Sequence, residues 1–208
     1  MDFPDVTLAT VILWLDLVGT FVFGLSGGML AVRRNLDLFG IIVLATAAAT
    51  AGGAIRDIAL GDTPPAVLRD LRYLLATLAA GLSAFFFHRL IEMLSKPVML
   101  LDAIGLGVFA VTGSQKALDF GLSAPSACLI GVLTAVGGGV LRDILVAEVP
   151  RVLREEVYAV AAILGAAMVV LGTSLGWSPV TTAGIGFALT VVVRVLSVRF
   201  GLRMPRAR

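Results

Sequence analysis

Hydrophobic residues occupy the chain in seven long stretches, and short segments containing Gly, Pro, Asn or Asp separate them. Crossing about 30 Å of hydrocarbon takes about 20 residues of α-helix, and each stretch approaches or exceeds that length. The separating segments carry the residues that favour turns. The pattern therefore predicts seven membrane-spanning helices. They cover residues 8–31, 36–61, 71–93, 98–117, 122–147, 157–175 and 179–198.

The composition agrees with a membrane protein and excludes several kinds of site. Hydrophobic residues make up 59% of the 208 residues and charged residues only 14%, and the mean hydropathy is +1.02, which is too apolar for a soluble domain. The single Cys128 excludes an internal disulfide and a multi-cysteine metal site. The sequence also has no nucleophile paired with a base and no phosphate-binding loop. We predict an all-α multi-pass membrane protein forming one domain over residues 1–208, with no enzymatic activity, cofactor or metal site.

The chain contains an internal repeat with an offset of 86 residues. Residues 52–57, Gly-Gly-Ala-Ile-Arg-Asp, align without a gap on residues 138–143, Gly-Gly-Val-Leu-Arg-Asp, and Asp16 aligns with Asp102. A repeat with an odd number of spans enters the bilayer in opposite directions, so its copies are related by a pseudo-two-fold axis in the membrane plane. We predict two inverted three-helix repeats followed by one extra helix. The predicted boundaries are 8–95 and 96–176 for the repeats, 177–200 for the extra helix and 201–208 for a basic tail.

The basic residues predict the direction in which the helices cross the membrane. With an external N-terminus, eleven Lys and Arg residues flank the spans on the cytoplasmic side and three flank them outside, when the repeated Arg56 and Arg142 are set aside. Arg194 belongs to the inner set and Lys116 to the outer set, and Tyr73 is expected to be an interfacial anchor. Positive charge usually accumulates inside, so we predict an external N-terminus and a cytoplasmic C-terminus. This topology accounts for the basic residues, and no nucleic-acid partner is predicted.

Each repeat carries a glycine cluster in its second helix, at Gly52-Gly53 and at Gly138-Gly139. Adjacent glycines favour a kink or an unwound point, and unwound backbone at membrane depth is tolerated only against protein or water. The alternative is that the glycines merely allow two helices to pack closely. Because both clusters occupy equivalent positions and precede Arg-Asp, we favour a functional kink and break beside a water-filled path.

Six charged residues are expected inside the membrane: the two Arg-Asp pairs and one aspartate early in each repeat. They are Arg56, Asp57, Arg142, Asp143, Asp16 and Asp102. An ionisable residue at membrane depth indicates a functional site, with snorkelling to the interface and purely structural pairing as the alternatives. Adjacent helical residues point about 100° apart, so we expect each arginine to reach a carboxylate on another helix. Two arginines against four aspartates leave negative charge, which favours cations.

The chain resembles the prokaryotic branch of the trimeric intracellular cation (TRIC) channel family in its doubled Gly-Gly-x-x-Arg-Asp motif, its seven predicted spans and its predicted external N-terminus. Some bacterial members are labelled glycine transporters. The resemblance implies a homotrimer in a bacterial or archaeal cell (inner) membrane, surrounded by membrane lipid, with one ion pathway inside each subunit lined by the kinked second and fifth helices. The expected ions are monovalent cations, chiefly K⁺, with Na⁺ as a second candidate. The implied pathway residues are Gly52, Gly53, Arg56, Asp57, Gly138, Gly139, Arg142 and Asp143, with Asp16 and Asp102 as their charge partners.

Two hypotheses for the function follow. The first is a passive cation channel, and the second is a secondary transporter of a small solute such as glycine, because inverted repeats with broken helices suit alternating access equally well. In a transporter the half-helix N-termini after the glycines hold a substrate carboxylate, whereas in a channel they line a continuous wet path. A membrane scaffold without transport leaves the doubled intramembrane charges unexplained. Ion selectivity, gating stimulus and bound lipids stay open at this stage.

Overall fold

Within residues 8–93, 97–154 and 157–202, which the computed structural model describes, the chain forms nine α-helices and no strand. Seven of these helices are long and apolar enough to cross a membrane, which confirms the predicted all-α class and number of spans. The helices are α1 (Leu8–Arg33), α2 (Leu38–Leu60), α3 (Ala66–Arg69), α4 (Leu71–Glu92), α5 (Pro97–Asp119), α6 (Ala124–Leu145), α7 (Arg151–Arg154), α8 (Val157–Ser174) and α9 (Pro179–Phe200). The seven long helices are α1, α2, α4, α5, α6, α8 and α9.

The helix boundaries lie within a few residues of the predicted ones. The fifth predicted span, 122–147, corresponds to α6 at Ala124–Leu145, and the first, 8–31, corresponds to α1. Two parts of the prediction lie outside the described residues. They are the boundary between the repeats at residues 95 and 96, and residues 203–208 of the basic tail.

Capping residues fix several of these boundaries. Asp37 precedes α2, and its side chain accepts a 2.8 Å hydrogen bond from the backbone N–H of Gly40. Gly61 ends the same helix in the left-handed conformation with φ of 73°, which glycine adopts without a steric penalty. Ser178 caps α9 and Pro179 occupies its first turn, an arrangement that suits a helix start because proline needs no N–H partner there.

Helices α1 and α5 form the centre of the bundle. Helix α1 packs against α2, α4 and α5, while α5 packs against α6, α8 and α9. Accordingly, 67% of the apolar window of α1 and 78% of that of α5 are buried, against 22% for α4 and 28% for α9. Phe23 of α1 and Phe109 of α5 are equivalent under the 86-residue offset, and their rings stack with centroids 5.3 Å apart. Equivalent helices of the two repeats therefore meet through equivalent residues.

Small residues bring α1 close to the peripheral helix α4. A Cβ atom at Gly24 would lie 2.8 Å from the Cβ of Ala80, and one at Gly28 would lie 2.6 Å from the Cβ of Ala84. Both distances are too short for real carbon atoms, so the helices approach as closely as glycine permits. Lipid provides no hydrophobic force between helices, and close packing of this kind holds them together instead.

The glycine clusters of α2 and α6 lie in uninterrupted helix. A Cβ atom at Gly52 would overlap the carbonyl oxygen of Thr134, and one at Gly138 would overlap the carbonyl oxygen of Ala48. The missing side chains thus let α2 and α6 cross with their backbones in contact. The expectation that the helices unwind at these glycines is therefore wrong, because the glycines bring two intact helices together.

Candidate functional site

Arg56 lies at the centre of a buried cluster of charges, which we call the Asp16 cluster. Its Nη1 atom donates to Asp16 Oδ1 at 3.0 Å and its Nη2 atom to Asp16 Oδ2 at 3.3 Å. Its Nε atom donates to Asp57 Oδ1 at 2.8 Å. The Arg56, Asp16 and Asp57 side chains are 3%, 7% and 1% exposed. The arginine is thus held by a carboxylate on another helix and also by the residue next to it.

Three further side chains complete the Asp16 cluster. The Tyr73 hydroxyl of α4 donates to Asp16 Oδ2 at 2.8 Å, and the Thr112 hydroxyl of α5 donates to Asp16 Oδ1 at 3.1 Å. Lys116 of α5 places its ammonium 2.7 Å from both Asp57 Oδ1 and Asp62 Oδ2. Asp16 therefore accepts hydrogen bonds from three different helices. Charged groups in the membrane need such partners because unsatisfied polar atoms there are costly.

Arg142 lies at the centre of a second cluster, which we call the Asp102 cluster. Its Nη1 atom donates to Asp102 Oδ1 at 2.6 Å and to Ser26 Oγ at 2.8 Å. Its Nε atom donates to Asp143 Oδ1 at 2.9 Å, and Asp143 Oδ2 accepts from the backbone N–H of Arg151 at 2.9 Å. The side chains of Arg142 and Asp102 are both 0% exposed. This cluster is therefore sealed more completely than the first.

The two clusters are built on equivalent positions. The Asp-Arg-Asp core of the second lies 86 residues after that of the first. Ser26 and Thr112 are also 86 residues apart, and each contributes to the cluster centred in the opposite repeat. The clusters therefore fasten the two repeats to each other.

The clusters differ in the residues that surround the core. The position equivalent to Lys116 in the first repeat is Leu30, which has no charge. The Asp102 cluster instead has Arg194 of α9, which is 2% exposed and whose guanidinium carbon lies 4.8 Å from the centre of the Tyr158 ring. Lys116 and Arg194 offset much of the negative charge counted from the sequence. The cation preference inferred from excess aspartate is weakened accordingly.

The second glycine of each Gly-Gly pair, Gly53 in α2 and Gly139 in α6, faces a charge cluster. A Cβ atom at Gly53 would meet only Arg56 Nη2, at 3.7 Å. One at Gly139 would lie 2.9 Å from the Tyr158 hydroxyl and 3.7 Å from Asp102 Oδ1. A cavity of about 10 Å³ lies beside Gly53, Asp16 and Arg56, which is room for about one water molecule. The clusters are therefore nearly closed in this structure.

Sequence reasoning placed Tyr73, Lys116 and Arg194 outside these clusters. Tyr73 is 7% exposed and binds Asp16 instead of anchoring the helix at the interface. Lys116 and Arg194 turn into the bundle instead of flanking it. The only available signal was that Tyr158 follows Tyr73 by 85 residues, close to the repeat offset. Among the residues that the structure describes, no group of three His, Cys, Asp or Glu side chains is placed to hold a metal ion.

The sequence matches a known family twice. A family model described as Glycine transporter matches residues 13–89 and again residues 99–174. The matched segments begin 86 residues apart, which is the offset of the internal repeat. The family model therefore corresponds to one repeat, and this chain contains two.

Relatives extend over nearly the whole chain. The UPF0126 membrane protein of Deinococcus radiodurans is 40% identical over 204 residues, covering 97% of this chain and 94% of the relative. The UPF0126 inner membrane protein YadS of Escherichia coli (strain K12) is 36% identical over 197 residues, covering 94% of this chain and 95% of the relative. With seven helices suited to crossing a membrane, these relatives identify a multi-pass membrane protein.

A solved structure has the same fold. It is that of a TRIC trimeric intracellular cation channel orthologue from Rhodobacter sphaeroides, which matches with a TM-score of 0.88 and 38% sequence identity. The match covers 93% of this chain and 100% of that chain.

Proposed function

The chain belongs to the family described as glycine transporter, and we propose that it is a channel for monovalent cations, chiefly K⁺, with Na⁺ as a second permeant ion. Its close structural neighbour is an ion channel, so the chain is not an enzyme. The match to the solved structure of a TRIC channel orthologue confirms the resemblance drawn from the doubled motif. In this proposal the protein is a homotrimer in the cell membrane, in contact with membrane lipid, with one ion pathway inside each subunit.

The observation that carries this proposal is the pair of buried charge clusters within a fold so similar to that of a cation channel. Charged side chains at membrane depth are costly, and where they occur they usually mark an ion or substrate pathway. The proposed pathway runs along α2 and α6. It passes Gly53, where the missing side chain leaves space beside Arg56, and Gly139, where the missing side chain makes room for the Tyr158 hydroxyl.

The clusters close the proposed pathway in the state described here. Arg56 and Arg142 are each bound to aspartates on two helices. For ions to pass, the arginine side chains have to move off Asp16 and Asp102, so that the carboxylates face water. The proposed open state therefore exchanges arginine–aspartate contacts for contacts with water and cations.

Two observations favour the channel over a glycine transporter, the function that the family description suggests. A transporter site of the expected kind needs half-helix N-termini to bind the substrate carboxylate, and α2 and α6 are unbroken. Their arginines are moreover already occupied by aspartates of the chain itself. A free carboxylate substrate therefore lacks an available partner at these positions.

Reconstitution into planar bilayers tests the proposal. We expect unitary currents in KCl, with a reversal potential in a KCl gradient that follows the cation. The Gly53→Leu variant should abolish the current, because its side chain fills the space beside Arg56. Gly184→Leu is the matched control, since a Cβ there meets no atom within 4 Å. Saturable glycine uptake into vesicles without unitary currents would identify a transporter instead.

A further inference from the structure

Arg194 is a buried cation on α9, the long helix that follows both repeats. It is 2% exposed, and its guanidinium carbon lies 4.8 Å from the centre of the Tyr158 ring. Tyr158 in turn lies beside Asp102, because a Cβ atom at Gly139 would lie 2.9 Å from the Tyr158 hydroxyl and 3.7 Å from Asp102 Oδ1. The positive charge of Arg194 therefore acts on the Asp102 carboxylate.

With Arg194 included, the two clusters differ by one unit of charge. Among the described residues, the Asp16 cluster has three aspartates against one arginine and one lysine, and the Asp102 cluster has two aspartates against two arginines. The first set is Asp16, Arg56, Asp57, Asp62 and Lys116, and the second is Asp102, Arg142, Asp143 and Arg194. One arginine adjoins each cluster, Arg69 at Asp62 and Arg151 at Asp143, so the difference remains when both are counted. Without Arg194 the two clusters would carry the same charge.

The two clusters lie towards opposite faces of the membrane. Asp16 is in the first half of α1, and Asp102 is near the start of α5. These helices are the first and fourth spans, which cross in opposite directions because successive spans alternate. In the predicted orientation, the Asp16 cluster lies towards the outside and the Asp102 cluster towards the cytoplasm. The difference in charge therefore falls between the two ends of the proposed pathway.

We propose that Arg194 makes the Asp102 end of the pathway the less favourable end for cations to enter, so that the current is larger when cations enter from the Asp16 end. This inference rests on the proposed channel function. Arginine keeps its charge in proteins, and a fixed positive charge beside a pore lowers the local concentration of cations. One unit charge within several ångströms of a hydrated path changes that concentration by about two-fold or more. Helix α9 thereby gives the pathway a preferred direction.

Single-channel recording in patches excised from giant bacterial spheroplasts tests the proposal, because all copies of the protein keep one orientation there. The amplitude of the open-channel current is measured in symmetric KCl at equal positive and negative voltages. We expect the wild-type amplitude to be about two-fold larger when cations enter from the Asp16 end, the outer end in the predicted orientation. Arg194→Met removes the charge and should bring the ratio of the two amplitudes close to one.

Two further variants separate the buried charge from other effects of the substitution. Arg199→Met is the matched control, because it removes the same charge from an exposed position of the same helix and should leave the ratio near its wild-type value. Arg194→Lys keeps the charge and should do the same, whereas a purely structural arginine would give equal ratios in Arg194→Lys and Arg194→Met.

The outcomes distinguish this inference from the proposed function. Equal amplitudes in the wild type, or a ratio unchanged by Arg194→Met, would overturn the inference and leave the channel intact. The wild-type measurement needs no variant, so it decides the matter even if Arg194→Met fails to assemble. A wild-type protein without unitary currents would refute the proposed function together with the inference that rests on it.

Discussion

At the scale of single residues, the buried arginines explain what the sequence could predict and what it could not. Because neighbouring residues on a helix diverge, the sequence predicts a carboxylate on another helix for each arginine, and the structure brings Arg56 to Asp16. It gives no hint that Lys116 and Arg194 turn inward. A basic residue near the end of a span can snorkel outward or enter the bundle, and only the neighbouring helices decide between the two.

The Arg56–Asp16 pair should contribute measurably to stability. Arg56→Ala leaves a buried aspartate without its cation, and we expect the free energy of unfolding to fall by about 1–5 kcal/mol. The lower limit is typical of polar contacts between membrane helices and the upper limit of buried ion pairs in soluble proteins. Adding Asp16→Asn should restore part of the lost stability. Arg72→Ala is the control, because Arg72 pairs with Asp70 while 55% exposed, and exposed pairs contribute little. Thermal melting in detergent measures all three, and equal melting of Arg56→Ala and Arg72→Ala would contradict the expectation.

Lys116 should stabilise the Asp16 cluster by joining α5 to α2 and to the loop after it. Lys116→Met removes two hydrogen bonds of 2.7 Å to Asp57 and Asp62, and we expect a loss of about 1 kcal/mol. Lys116→Arg should retain most of the stability because it keeps the charge. A Lys116→Met protein that melts at the wild-type temperature would show that the two hydrogen bonds of Lys116 do not stabilise the folded protein.

The contribution of Lys116 should be independent of pH near neutrality. The hydrogen bond from Lys116 lowers the pKa of Asp62 below its usual value. An aspartate whose pKa is lowered in the folded protein stabilises the fold. This stabilisation is fully present above the pKa of the unfolded chain, about 3.9, and is lost as the pH falls through the pKa of the folded protein. The difference in melting temperature between wild type and Lys116→Met should therefore be flat between about pH 5 and 8 and shrink only in stronger acid. A change within the neutral range would point to a different titrating group.

At the scale of helices, paired glycines have two possible uses that the sequence does not distinguish. A Gly-Gly pair favours unwinding, and it also lets a neighbouring backbone come close. The outcome depends on where the partner helix lies, which is a tertiary contact. At Gly52 and Gly138 the partner carbonyls of α6 and α2 occupy the space of the missing side chain, so these glycines serve close helix packing and the helices stay intact. The hydrophobic pattern, by contrast, is a local property, and it predicted all seven long helices.

The two glycines of one pair should respond very differently to the same substitution. Gly52→Ala places a methyl group on the Thr134 carbonyl, so α2 and α6 must separate and the protein should lose several kcal/mol. Gly53→Ala meets only the end of the Arg56 side chain at 3.7 Å, an ordinary contact, and should melt close to the wild type. The yield of folded protein and its melting temperature test this. If both variants behave alike, the helix crossing does not depend on Gly52.

At the scale of the whole molecule, ion pairs near the ends of the spans indicate which helix ends and loops share a membrane face. Lys116, at the end of α5, pairs with Asp62 after α2. Arg34, after α1, pairs with Glu148 after α6. Successive spans alternate in direction, and both pairs agree with that alternation. Together with the cross-repeat contacts of Ser26 and Thr112, they support two halves with opposite orientation, joined through their clusters and distinguished by α9.

The absolute orientation is the remaining choice, and we predict an external N-terminus and a cytoplasmic C-terminus. Arg194 and Lys116 lie in the clusters and do not flank the spans. Without them, ten basic residues remain on the inner side and two on the outer side, so the positive-inside rule gives the same orientation. A reporter that is active only in the cytoplasm should work when fused after Arg208. The same reporter fused after Gly176, one span earlier, should be inactive, while a periplasmic reporter there should be active. The opposite pattern would invert the topology, and the Asp102 cluster would then face the outside.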